Sequence, residues 1–151
     1  MKVYDYKSIS LYSDKKGTLY AIPTGLNHKF NITVAIDILN ILEPPYSDDD
    51  VQEFILKTFN QCYTKEREDL NSIGSLEKHF GVKKYSTAVR SLKCIPVDWR
   101  KDEGYSITPT KKVPREGFIH LEDKIIILGH NPEEGAIAAA IRQAIDESTT
   151  F

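Results

Sequence analysis

The side chains best equipped for acid–base, nucleophilic or metal chemistry are four histidines, at positions 28, 79, 120 and 130, and two cysteines, Cys62 and Cys94. No two histidines stand in an HxH, HExxH or HxxxH arrangement, the spacings that set two imidazoles on one face for a metal. No metal site is therefore expected. His120, between Ile119 and Leu121, has the type and setting of a general base, with Glu122 or Asp98 as carboxylate partner for a hydrolase or nuclease. A lone strand histidine is more often a surface or hydrogen-bonded structural residue. Neither cysteine has the neighbours of an activated nucleophile, and their separation fits neither a zinc spacing nor a small disulfide scaffold, so both read as buried thiols. The nucleophile elbow GxSxG and the phosphate loops GxGxxG and GxxxxGK[ST] are absent. The expectation is a chain without catalytic residues, without a cofactor, and not an enzyme.

Three features bear on binding instead. Glu43 with Asp48, Asp49 and Asp50 forms an acidic knob that can meet a basic partner surface; the same aspartates also suit a helix start, where they cap the chain and oppose the dipole. Trp99, flanked by Asp98 and Arg100, is either an aromatic interface anchor or a half-buried core residue. Lys111, Lys112 and Arg115, around Val113 and Pro114, make a small phosphate contact or a solvated loop.

The elements that must position these residues are legible from pattern. Ser8-Ile9-Ser10-Leu11-Tyr12-Ser13 and Thr18-Leu19-Tyr20-Ala21-Ile22-Pro23 flank Asp14-Lys15-Lys16-Gly17, the signature of a β-hairpin. Residues 24–29 read as a loop, and 30–42 as a further strand or a short helix, which periodicity leaves open. Ser47 is the N-cap of a helix whose stripe is Val51, Phe54, Ile55, Phe59 and Cys62. Residues 64–72 read as an exposed linker or frayed helix end, and 75–80 and 85–92 as short helices. Cys94-Ile95-Pro96-Val97-Asp98-Trp99 and Tyr105-Ser106-Ile107-Thr108 make a second hairpin, with Pro96 marking an edge strand or bulge. A third hairpin is expected from Phe118-Ile119-His120-Leu121 and Lys124-Ile125-Ile126-Ile127-Leu128, turning at Glu122-Asp123. The last helix is expected to start with Asn131 as N-cap and Pro132 at the first helical position, ahead of Glu133 and Glu134, with Ile137, Ala140, Ile141, Ala144 and Ile145 as its apolar stripe. Blocks of hairpins and helices predict an α+β domain with a mainly antiparallel sheet and helices packed on one face.

At 151 residues, with 40% hydrophobic and 28% charged side chains, the chain suits a single domain over 1–151. A formal net charge of -2 and a pI near 6.1 argue against a general nucleic-acid binder, which carries a basic excess. The stretch Met1-Lys2-Val3-Tyr4-Asp5-Tyr6 lacks the features of a secretory signal, and no run approaches a membrane span, so a cytoplasmic location without membrane association is expected.

Several strings carry a family likeness: Tyr4-Asp5-Tyr6-Lys7 with Leu11-Tyr12-Ser13-Asp14, Asn40-Ile41-Leu42-Glu43-Pro44-Pro45-Tyr46, Val97-Asp98-Trp99 through Glu103-Gly104-Tyr105, and Thr108-Pro109-Thr110-Lys111-Lys112. In that order, over nearly the whole chain, they resemble one family of immunity proteins from bacterial contact-dependent growth inhibition systems. The resemblance implies a cytoplasmic antidote that binds the toxin domain at the C-terminus of a large exported surface protein. Many such toxins are nucleases with cationic clefts, against which Glu43 and Asp48, Asp49 and Asp50 would be the matching surface, with Trp99 as an anchor. The resemblance brings no catalytic motif to carry over. The competing expectation is a small nucleic-acid-binding or regulatory module working through the 111–115 basic loop.

Overall fold

The first two strands, β1 (Tyr6–Ser13) and β2 (Leu19–Asn27), form the expected antiparallel hairpin, with Ile9 opposite Pro23 and Ser13 opposite Leu19. The structure, a computed structural model, describes residues 5–150; residues 1–4, part of the stretch weighed above as a secretory signal, and residue 151 lie outside them. Residues 24–29 are not a loop, because β2 runs on to Asn27, and the undecided segment 30–42 is neither one strand nor a helix. It contains two short strands, β3 (Ile32–Ala35) and β4 (Asn40–Leu42), which pair with different parts of β2. After them come the helices α1 (Asp48–Asn60), α2 (Ser75–Phe80) and α3 (Tyr85–Ala88).

Strands β5 (Lys93–Arg100) and β6 (Gly104–Ile107) make the second expected hairpin. Next are β7 (Thr110–Val113), β8 (Gly117–His120), a short 3-10 turn at Glu122–Lys124, β9 (Ile126–Gly129) and α4 (Ala136–Glu147). The main sheet has the order β3-β2-β1-β5-β6-β9, with β4 also on β2, and every pairing is antiparallel. The architecture is the α+β arrangement expected.

Several local expectations are corrected. Pro96 does not mark an edge, since β5 lies between β1 and β6. A proline is tolerated there because the Pro96 carbonyl, and with it the side of the backbone that lacks an N–H, faces Thr108, where β6 has already ended. Glu122 and Asp123 do not turn a hairpin: β8 pairs with β7, and β9 crosses to the edge of the main sheet beside β6. The basic loop 110–115 is largely strand β7, in a separate two-stranded ribbon with β8. Asn131 does not cap the last helix, which begins five residues later behind Gly135 at φ 80°.

Alternation along the strands explains the layers. Ile9, Leu11, Leu19, Ala21, Ile95, Val97 and Ile107 point to one face and form the main core with α1 and α4, the two long helices. From α1 come Val51, Phe54, Ile55 and Phe59, and from α4 come Ile137, Ala140, Ile141 and Ala144, all buried as their spacing predicts. The intervening residues Tyr12, Tyr20, Ile22 and Cys94 point the other way and meet Leu76 of α2 and Ala88 of α3, with Val89 and Leu92 just beyond. The long helices thus share one face as expected, and the short ones cover part of the opposite face.

Candidate functional site

The acidic knob is built by helix-start chemistry. Ser47 Oγ accepts the Asp50 N–H at 3.1 Å and Asp50 Oδ2 accepts the Ser47 N–H at 2.9 Å, a reciprocal capping box. Asp48 pairs with Arg142 of α4 at 2.5 Å. Asp49 and Glu43 are exposed and make no salt bridge among the described residues. All four predicted acids are exposed, two of them with structural partners and two, Glu43 and Asp49, without a salt bridge among the described residues.

Tertiary structure enlarges this acidic end. Tyr46 donates its hydroxyl to the Gly17 carbonyl at 2.7 Å, which brings the β1–β2 turn, with Asp14, beside the start of α1. Burial pushes the Tyr20 hydroxyl above its ordinary range, and Asp14 and Glu43 push it further, so both carboxylates act on the same space. Gly135 lies against Asp48, close enough that a Cβ on it would sit 3.7 Å from Oδ2, and Glu133 and Glu134 immediately precede it. Lys15, Lys16 and Arg142 are the cations in this neighbourhood.

Trp99 is elsewhere. It is half-buried against the main core, opposite Lys7 and Tyr105, with the Lys7 ammonium 5.7 Å from its ring centre. Tyr105 packs edge-on to Phe59, near the C-terminal end of α1. Asp48 to Asn60 spans about 18 Å at 1.5 Å per residue, so the structure does not bring Trp99 together with the acids.

The face opposite the long helices carries a second candidate, which joins Lys112, Arg115 and His120, singled out in the sequence, to Tyr12, Tyr85 and Arg90, which were not. The β7–β8 ribbon folds over the sheet there, held by the Thr110 hydroxyl donating to the Cys94 carbonyl at 2.6 Å, and leaves a cleft of about 740 Å³ between itself and α3. Its floor is Ser10, Tyr12, Cys94 and Pro96. The hydroxyls of Tyr12 and Tyr85 lie 2.6 Å apart and form a wall shared with a neighbouring hollow of about 550 Å³. Arg90, Lys112 and Arg115 line the cleft from two sides, with Glu116 as the acid among them.

Lys112 is buried, and Lys111, pointing to the other side of the ribbon, is exposed. The predicted basic patch is thus split by strand alternation. The Lys112 ammonium donates to the carbonyls of Val89 and Arg90, the latter at 2.9 Å, and stands 5.4 Å from the Phe118 ring centre. Burial lowers its pKa and the Arg90 guanidinium lowers it further. Burial pushes the Cys94 thiol up to about 12 and raises that of Cys62, which makes both poor nucleophiles at neutral pH.

His120 lies exposed at the cleft mouth, opposite Thr110. Asp98 accepts the Tyr6 hydroxyl at 3.0 Å, and Glu122 is exposed in the 3-10 turn. No contact joins His120 to either carboxylate. Among the described residues no group of three histidine, cysteine, aspartate or glutamate side chains is placed to hold a metal ion, and no helix is long and apolar enough to cross a membrane.

No family model matches the chain, and no curated protein matches it. Among solved structures the chain is similar to a protein of unknown function from Neisseria meningitidis, with a TM-score of 0.71 over 99% of each chain at 10% sequence identity. At that identity the likeness shows a shared fold.

Proposed function

We propose that this chain is a cytoplasmic immunity protein, not an enzyme, that neutralises the toxin domain of a contact-dependent growth inhibition effector by stoichiometric occlusion. The observation that carries the reading is the acidic end of the molecule, where Glu43 and Asp49 face solvent without ion-pair partners beside Asp14 and Asp48. Carboxylates gathered from separate segments on a rigid helix start are suited to enter a cationic cleft and compete with nucleic-acid phosphates. The partner this charge suits is a nuclease with a cationic cleft, whose activity would be blocked by covering that cleft.

The family resemblance over Asn40-Ile41-Leu42-Glu43-Pro44-Pro45-Tyr46 supports the same assignment and contributes one of the exposed acids. The test is co-expression with the toxin domain encoded beside this chain, followed by titration of the purified pair. A one-to-one complex that restores growth, and that Glu43→Lys with Asp49→Lys weakens, is expected. A complex indifferent to that double reversal removes the acidic end as the interface, and no complex with no rescue removes the immunity reading altogether.

A further inference from the structure

We propose that the cleft between α3 and the β7–β8 ribbon binds a small organic anion with a flat apolar body, the acid group held by Arg90 and Arg115 and the body lying on the Tyr12, Pro96 and Phe118 surfaces. Its volume of about 740 Å³ lies within the roughly 300–1,000 Å³ of small-molecule sites. The lining is mostly apolar and aromatic, with hydroxyls added by Ser10 in the floor and by Ser86. Such a lining favours a ring system over a chain of bare charges.

The charges set the sign of the ligand. Arg90 follows α3 and Arg115 sits at the ribbon tip, both exposed, and neither forms a salt bridge among the described residues. Lys112 stands behind them, close enough to Arg90 that the two cations disfavour one another. An anion between these groups relieves that repulsion and gains charge-assisted hydrogen bonds in a cleft that is partly shielded from water. Glu116 is the one carboxylate in the lining, which leaves the cleft net positive inside a molecule of net charge -2. A long nucleic acid is disfavoured by that overall charge and by the short reach of the cleft, which the wall of Tyr12 and Tyr85 closes at one side.

The probe is 1-anilinonaphthalene-8-sulfonate, a fluorescent aromatic sulfonate, titrated into the full chain at neutral pH alongside the uncharged N-phenyl-1-naphthylamine. Saturable one-site binding of the sulfonate is expected, with the uncharged probe bound about tenfold more weakly or worse. Arg90→Glu with Arg115→Glu should weaken the sulfonate by about tenfold or more. Ser10→Phe, which fills the floor, should remove binding, and thermal unfolding shows that each variant folds. Ile127→Ser, at an exposed apolar position 76% accessible on the far sheet edge, should leave the affinity unchanged. Equal binding of the two probes, retention of binding in the folded double-arginine variant, loss on Ile127→Ser, or no saturable binding each overturns the proposal. None of these outcomes depends on whether the chain binds a toxin.

Discussion

At position 104 only a residue without a side chain fits, because φ is +80° and a Cβ would lie 2.2 Å from the Gly129 carbonyl carbon on β9. Gly104→Ala should therefore destabilise the fold by about 2 kcal/mol or more, read as a lower urea midpoint at unchanged slope. Cys94 offers a second test at the same scale. Its thiol pKa rises from 9.0 to about 12 on folding, so the folded chain holds a proton that the unfolded chain releases first. The stabilisation is fully present below pH 9 and is lost as pH climbs from 9 towards 12. Tyr12, whose hydroxyl burial also raises, adds a loss that begins near pH 10. Cys94→Ala should flatten stability between pH 9 and 10 in urea titrations, and an unchanged slope there would contradict the assigned burial. Cys62 and Cys94 as buried thiols were readable from sequence because nothing near them activates a sulfur. The partnership of Tyr12 with Tyr85 was not, because 73 residues separate them.

For the elements, α1 is where sequence and structure agree most closely, since its cap, first-turn acids and apolar stripe are all local. Ser47→Ala should cost about 1 kcal/mol, because Asp50 loses the partner for its N–H, while Phe59→Ala should cost about 3–5 kcal/mol by emptying a core site, both measured by chemical denaturation. The third hairpin does not form, for a physical reason. Glu122 and Asp123 have turn-forming character, but strand pairing depends on which edge is free, and β9 gains more by completing the sheet beside β6 than by folding back on β8. Likewise 110–115 reads as solvated from its charges, yet pairing with β8 forces alternation and turns Lys112 inward to the Val89 and Arg90 carbonyls. The last helix starts late because Gly135, in the left-handed region, ends the preceding turn, a conformation that the Asn131-Pro132 signal does not disclose.

Across the whole molecule the charges are uneven, with an acidic end around the start of α1 and a basic cleft on the opposite face of the sheet. Long-range attraction between the acidic end and a cationic partner should appear chiefly in the association rate. If the proposed toxin domain is the partner, Glu43→Lys with Asp49→Lys should slow association with it roughly tenfold at low salt, and raising salt should narrow the gap between variant and parent, as stopped-flow measurement can show. A salt-independent rate would contradict steering. The fold shared with the Neisseria meningitidis protein at 10% identity is consistent with a layout specified by apolar pattern rather than by particular residues.

By itself the sequence determined the class of the fold, two of the hairpins, the stripe of α1 and the stripe of α4, because each depends on periodicity and turn chemistry within a dozen or so residues. Tertiary structure alone decided that β5 is central despite Pro96, that Trp99 and the acids lie at opposite ends of α1, and that Tyr12, Arg90, Lys112 and Arg115 surround one cleft. These juxtapositions arise from which strand edges and apolar faces remain available once the local elements exist, a competition among distant segments that no short window of sequence contains.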